Sequence, residues 1–319
     1  MNKLNIALTM GDPAGIGPEL LARAVAEKRF AQDVKFILYG SRSVIEEALS
    51  KVEPAVEYDF YESADLACDA YNIGEASAVC GLAAYNSVKK AAEDCLARRI
   101  DAMVTAPMNK YAVNLAGIDF TGHTELIAEV CGVKDFAMMQ SSGKMHIVFV
   151  TTHIALKDVP EFVTRERIAK VTHLLNDVLR EENIVAPKIA VAALNPHAGE
   201  NGCMGLEDEE VVKPAIAELK AAGLDVEGPF PPDTLFIPDT LNKFDGVVSM
   251  YHDQGHIPFK MVAFNSGVNS TLGLPIIRTS PDHGTAFQIA GKNIADTGSF
   301  FAAIDAACIR AAYRRRLNG

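Results

Sequence analysis

Short apolar runs that alternate with longer stretches of helical periodicity constrain this chain more than any other feature. Residues 5–9, 35–39, 102–105, 145–151, 188–193 and 246–250 are mostly apolar, with no steady polar alternation. Such runs are expected of strands covered on both faces. Between them, 19–27, 77–98, 165–182 and 207–222 carry apolar residues at helical spacing. Strand followed by helix, repeated, is the order of an α/β fold with a largely parallel sheet. At 319 residues the chain exceeds one ordinary core, so two α/β lobes of roughly 130 to 180 residues are expected, with a ligand cleft between them. No internal repeat or low-complexity segment appears, and the proline-rich stretch 228–232 is too short to link independent domains.

Composition excludes several classes of function. Hydrophobic residues make up 49% of the chain, yet no uninterrupted apolar run reaches the roughly 18 to 20 residues that span a bilayer. No cleavable signal pattern precedes Met10, so the expectation is a cytoplasmic protein with no membrane partner. Six cysteines, Cys68, Cys80, Cys95, Cys131, Cys203 and Cys308, lack any CxxC pair and sit mostly among apolar neighbours, the pattern of buried free thiols. A formal charge of −11 argues against a nucleic-acid partner. The only basic cluster, Arg310 with Arg314, Arg315 and Arg316, reads as the solvated end of a helix.

Polar motifs fall where chemistry is expected. "TAPMNK" (105–110), "TTH" (151–153), "NPHAGENG" (195–202) and "YHDQGH" (251–256) each follow a predicted strand, and in parallel α/β sheets the loops after strand carboxyl ends converge on the ligand. His153, His197 and His252 each sit just past such a strand. Neutral imidazoles of this kind suit a first-row divalent ion and leave positions open for substrate; the alternative for each is a hydrogen-bonded loop histidine. His146 and His173 read as packing or surface residues, and His256 either lines the pocket or caps a turn.

Anion handling has its own candidates. Gly122-His123-Thr124-Glu125 opens a helical pattern and offers free N–H groups and a hydroxyl to an anion; the alternative is plain capping by Thr121. Lys260 and Arg278 are isolated cations in apolar context and need a partner, either a substrate anion or Asp253 or Asp282. The glycine-rich "GDPAGIGPE" (11–19) is neither a Rossmann fingerprint, because Leu20 stands where the third glycine is needed, nor a Walker A loop, because no Gly-Lys-Ser/Thr follows. With Gly15 and Gly17 ahead of Pro18 it describes a tight strand-to-helix turn.

These motifs, with "GHTE", "TTHIAL", "MYHDQGHIPFK" and "RTSPDHGTAFQIAGK" in the same order along nearly the whole chain, resemble the 4-hydroxythreonine-4-phosphate dehydrogenase (PdxA) family. "GDPAGIGPE" is also similar to the first turn of the isocitrate and isopropylmalate dehydrogenases, and the 283–296 segment to their adenosine-side loop. The resemblance implies a two-lobed α/β/α fold of that kind, not a Rossmann fold, with an interlobe cleft. Residues 1–125 plus 270–319 are expected to form the nucleotide-side lobe, and 126–269 the lobe of the metal ligands and dimer interface. It implies that His153, His197 and His252 hold one divalent ion. Three imidazoles favour zinc or another first-row transition metal, with magnesium also open. It further implies that His123, Thr124, Lys260, Asn269 and Arg278 contact substrate, that Gly15, Gly17, His283, Gly284 and Ala290 contact NAD, and that Asp253 or Lys260 moves the proton. A homodimer with shared active sites is expected.

The family reaction is NAD-dependent oxidation of a 4-phosphorylated hydroxy acid followed by decarboxylation. "HDQGHIPFK", with Ile257, is similar to the branch acting on 4-phospho-D-threonate or 4-phospho-D-erythronate; the alternative substrate is 4-phosphohydroxy-L-threonine of pyridoxal phosphate biosynthesis. A phosphate acyltransferase of related fold and a noncatalytic phosphorylated-acid-binding protein are the readings from other classes.

Overall fold

The computed structural model describes residues 3–318; Met1, Asn2 and Gly319 lie outside the described residues. Along the chain run β1 (Leu4–Thr9), α1 (Gly17–Ala26), β2 (Val34–Gly40), α2 (Arg42–Leu49), β3 (Glu57–Glu62), α3 (Ala78–Leu96), β4 (Ala102–Thr105), α4 (Lys110–Leu115) and α5 (His123–Cys131). Next come β5 (Ala137–Ser142), β6 (Met145–Phe149), α6 (Val159–Phe162), α7 (Arg165–Glu181), β7 (Lys188–Ala192), α8 (Lys213–Ala221), β8 (Asp225–Phe230), α9 (Pro232–Leu235) and α10 (Pro238–Leu241). The last elements are β9 (Gly246–Ser249), α11 (His252–Ala263), β10 (Val268–Leu272), β11 (Arg278–Pro281) and α12 (Gly298–Asn318). The chain divides into two compact units, one running to Phe136 and resuming at Leu274, the other Ala137–Gly273.

In the first unit the strand order is β3-β2-β1-β4-β11, every pair parallel. Side chains alternate across a strand, so Ala7, Tyr39 and Met103 meet Val88, Ala91 and Ala92 of α3 on one face. Ile6, Leu8, Leu38 and Val104, of opposite parity, are equally buried, and α12 packs against β1, β4 and β11. This unit extends past the expected break at 125 because Leu126, Ile127 and Ala128 of α5 belong to the α3 core.

In the second unit the order is β10-β5-β6-β9-β7-β8. The pairs among β6, β9, β7 and β8 are parallel, whereas β5 runs antiparallel to both β10 and β6. Val148, Val191 and Val248 face α7 and α8 through Ile168, Leu175, Leu179 and Leu219. Their neighbours Ile147, Phe149, Ala190, Ala192 and Val247 face Phe259 and Ala263 of α11 and Leu235 of α9. Burial on both faces explains why these strands read as continuous apolar runs. Pairing of β10 with β5 keeps 270–272 in this unit, past the expected break at 269.

Two sequence expectations need correction. Arg310 is 1% exposed, so the basic cluster on α12 is not simply solvated, and Arg315 makes a two-pronged contact to Asp101 at 2.7 and 2.6 Å. Cys203 is exposed, Cys80 and Cys95 are buried, and all six thiols are free.

Candidate active site

The opening turn is built by close packing. A Cβ on Gly17 would lie 2.0 Å from the Met10 carbonyl oxygen, and one on Gly15 would lie 2.9 Å from the Thr285 carbonyl oxygen. Both glycines are therefore required by backbone proximity, and Gly17 is committed to the inside of the turn. The Ile16 N–H donates to that Thr285 carbonyl at 3.1 Å, so the turn and the 283–296 loop form one platform. On the loop, Ala290 is buried, and His283 leaves Nε2 buried without a partner. Gly284 has open space where a Cβ would stand. Asp12, fully buried in the turn, accepts the Ala14 N–H at 2.9 Å through Oδ1 and leaves Oδ2 without a partner. Desolvation pushes its pKa up to about 6 against the opposing pull of the Ala14 N–H.

At the end of β4 the same unit gathers the residues expected to receive an anion. Arg278, the first residue of β11, is 3% exposed and donates to Thr105 Oγ1 at 2.9 Å. Burial lowers its pKa to about 10, opposed by the nearby Glu125 carboxylate, which leaves it cationic at neutral pH. His123 opens α5 behind an N-cap at Gly122 that supplies no side-chain cap, so Thr121 is not the cap. Burial, then the charge of Arg278, push the imidazole down to about 3 although it hydrogen-bonds the Ala106 backbone. Its Nε2 is buried without a partner. Thr124 follows in the first turn of α5. A buried cation bonded to a hydroxyl thus lies near a neutral imidazole.

In the second unit, His153 and His252 follow the adjacent parallel strands β6 and β9 and come together, their ring centroids 5.7 Å apart. His252 Nδ1 and Asp253 Oδ1 are 2.7 Å apart, which leaves Nε2 as the nitrogen for a ligand, in the usual carboxylate–histidine arrangement of metal sites. His252 stacks on His256 at 3.9 Å, and His256 on Phe149 at 4.3 Å. His256 therefore orients a neighbour. Thr152, His153, Tyr251, His252 and Asp253 line one open hollow. Lys260 is exposed two turns further along α11, and Asn269 lies on β10, half-buried.

His197 is the exception. Among the described residues, no group of three His, Cys, Asp or Glu side chains is placed to hold one ion. The donor chemistry of His153 and His252 fits a divalent metal; the expected third ligand is carried elsewhere by its loop. Residues 197–201 run consecutively left-handed, with φ of 53°, 54°, 75°, 44° and 55°, a conformation costing about 1–2 kcal/mol for each non-glycine residue. The loop is held by Asp208, fully buried, whose carboxylate accepts the Leu194 and Asn195 N–H groups at 2.8 and 2.9 Å. Asp208 opens a π-helical turn, Asp208–Val212, where a plain helix from 207 is expected; such turns concentrate at functional sites.

Asp208 and Gln254 are loop-supporting residues that motif spacing does not reveal. Gln254 is buried, accepts the Met250 N–H at 2.7 Å and the Ser249 hydroxyl at 3.1 Å, and donates to the Ala193 carbonyl at 2.8 Å. It thereby locks together the loops after β9 and β7.

Comparison with known proteins agrees with this architecture. A branched-chain phosphotransacylase of Enterococcus faecalis (TM-score 0.56, 12% identity, covering 97% of this chain and 99% of that one) and a β-decarboxylating dehydrogenase of Thermococcus kodakarensis (0.52, 15%, 99% and 89%) share the fold. A 4-hydroxythreonine-4-phosphate dehydrogenase of Klebsiella pneumoniae superposes with a TM-score of 0.83 at 38% identity over 97% of this chain and 100% of that one. The class is therefore the two-unit α/β dehydrogenase fold of that enzyme. The family model "Pyridoxal phosphate biosynthetic protein PdxA" matches residues 27–307, and the chain belongs to that family. A Bradyrhizobium diazoefficiens relative with the provisional name D-threonate 4-phosphate dehydrogenase is 46% identical over 96% of both chains. The 4-hydroxythreonine-4-phosphate dehydrogenase of Aquifex aeolicus is 43% identical over 94% of this chain and 95% of its own. No helix among the described residues is long and apolar enough to cross a membrane.

Proposed function

We propose that the protein is an NAD-dependent, divalent-metal-dependent dehydrogenase that oxidises and then decarboxylates a 4-phosphorylated hydroxy acid. The observation that carries this reading is the buried Arg278–Thr105 contact beside the unpartnered Nε2 of His123. A buried guanidinium with hydroxyl and imidazole neighbours suits a phosphate. The phosphate is assigned to His123, Thr124 and Arg278, and the hydroxyl and carboxylate end to Lys260, Asn269 and the histidines.

His153 and His252 would hold the ion, and the family resemblance names His197 as the third donor. When bound, the metal would supply Lewis acidity toward the substrate oxygens and NAD would supply the hydride acceptor. Asp253 acts through His252 by fixing its tautomer, and Lys260 on the same helix is assigned to moving the alcohol proton. Lys260 would take the hydroxyl proton as the alcohol carbon gives up its hydride. Cleavage of the adjacent bond then releases carbon dioxide, and a proton returns to the carbon left behind.

We assign 4-phospho-D-threonate or 4-phospho-D-erythronate ahead of 4-phosphohydroxy-L-threonine. Ile257 after "HDQGH" and the name of the 46%-identical relative support this order; the name of the Aquifex relative supports the alternative. Ile257, Met261 and Phe264, 60%, 81% and 75% exposed, share one face of α11 and its end. That face supports a homodimer with shared active sites. The test is NADH formation by metal-loaded protein on the three acids, with sizing of the same preparation. One acid favoured in kcat/KM fixes the substrate, and no NADH from any of them refutes the proposal.

A further inference from the structure

Glu19, the last residue of "GDPAGIGPE", and Arg23, one turn later on α1, both engage the backbone of residues 293–295. Glu19 Oε2 accepts the Asn293 N–H at 3.2 Å, and Oε1 accepts the Ala295 N–H at 3.1 Å. Arg23 donates to the Ala295 carbonyl at 2.7 Å, to Asn293 Oδ1 at 3.2 Å and to the Asn293 carbonyl. A carboxylate and a guanidinium on one helix face thus read both donors and acceptors of a three-residue segment. Charge-assisted hydrogen bonds of this kind are the strong ones.

The loop that carries the clamped segment includes two left-handed positions, Gly291 at φ 73° and Asn293 at φ 56°. Its residues 291–294 are exposed, with little apolar burial to hold them. Pro13, Gly15, Glu19, Tyr71, Gly291 and Asn293 line one open depression. One wall is the opening turn and another is the clamped loop, so the clamp fixes the width of the depression.

We infer that Glu19 and Arg23 are positioning residues that set nucleotide affinity by holding the 291–295 loop in place. They are assigned no contact with substrate or reacting atoms. The inference rests on the proposed NAD-dependent reading and adds to it two residues outside the cofactor contacts.

The experiment compares wild type with Glu19→Ala, Arg23→Ala and the conservative Glu19→Gln, each checked by circular dichroism. Three quantities are measured: amide hydrogen exchange of the 290–296 peptide without nucleotide, NAD affinity by calorimetry, and the split of KM for NAD against kcat. Both alanine variants are expected to speed exchange in that peptide and to weaken NAD binding and raise its KM about tenfold, as loss of one charge-assisted hydrogen bond predicts. Their kcat at saturating NAD stays within about twofold of wild type, and Glu19→Gln, which keeps one acceptor and sets an NH2 against the other backbone N–H, recovers only part of the affinity. Unchanged exchange in the peptide, unchanged NAD affinity, or a fall in kcat without a change in KM overturns the inference. Wild-type protein that binds no NAD refutes the nucleotide reading itself and takes the inference with it; tight binding by wild type and alanine variants alike refutes only the inference.

Discussion

Replacing Asp12 by asparagine should stabilise the protein at neutral pH. Asparagine keeps the shape and the oxygen that accepts the Ala14 N–H at 2.9 Å, while removing a charge whose other oxygen is buried without a partner. The carboxyl is raised from 3.8 to about 6. In the folded state it therefore holds its proton over a range where the unfolded chain has lost it. Folding stability then falls as pH rises from about 4 through 6, and above that the full cost is in place. A shift of roughly two pKa units corresponds to about 3 kcal/mol. Urea unfolding of both proteins at pH 4, 5, 6 and 8 measures the difference directly. Asp12→Asn is expected to gain about 2–3 kcal/mol at pH 8 and almost nothing at pH 4. An equal gain at both pH values, or a loss at pH 8, refutes the assignment of a buried, uncompensated carboxyl to the opening turn.

Three further outcomes follow from the site and its supports. His146 is 4% exposed; burial pushes its pKa down, but the Glu182 carboxylate at 2.8 Å outweighs that and raises it overall. Its contribution is fully present below the unfolded histidine pKa and is lost as pH rises through the higher folded value, so His146→Gln should cost more stability in urea melts at pH 6 than at pH 9. Arg278→Lys keeps a charge but loses the planar fork; kcat/KM for the phosphorylated acid should fall by about 100-fold with fold and NAD affinity retained, which steady-state kinetics and calorimetry would show. Asp208→Ala strips the acceptors from two backbone N–H groups and should cost about 2–4 kcal/mol, with hydrogen exchange accelerated in 194–202 ahead of the β-sheet.

The central parallel strands were legible because both of their faces are buried, which leaves β1, β2, β4, β6, β7 and β9 as apolar runs. β3, "EYDFYE", escapes that pattern as a largely exposed edge strand. β5 and β10 pair antiparallel and bury polar side chains such as Gln140, Ser270 and Thr271, so neither run nor alternation marks them. β11, "RTSP", is polar yet buried along its whole length, so no apolar run marks it. The convergence of His153 and His252 follows from neighbouring parallel strands. The left-handed path of 197–201 does not, since His197, Ala198 and Glu200 carry no local signal for it and Asp208, which anchors the start of the loop at Leu194 and Asn195, lies beyond the motif. Gln254 was invisible for a related reason: a glutamine inside "HDQGH" shows its role only through the Met250, Ser249 and Ala193 groups it joins.

The most direct test is the rate of NADH formation by metal-loaded protein with 4-phospho-D-threonate and with D-threonate lacking the phosphate, alongside His153→Ala protein. NADH should form with the phosphorylated acid, fall by at least about 100-fold without the phosphate, and vanish in folded His153→Ala protein. Equal rates on the two acids, or full activity in His153→Ala, would contradict a dehydrogenase that holds phosphate at Arg278 and works at the His153–His252 pair.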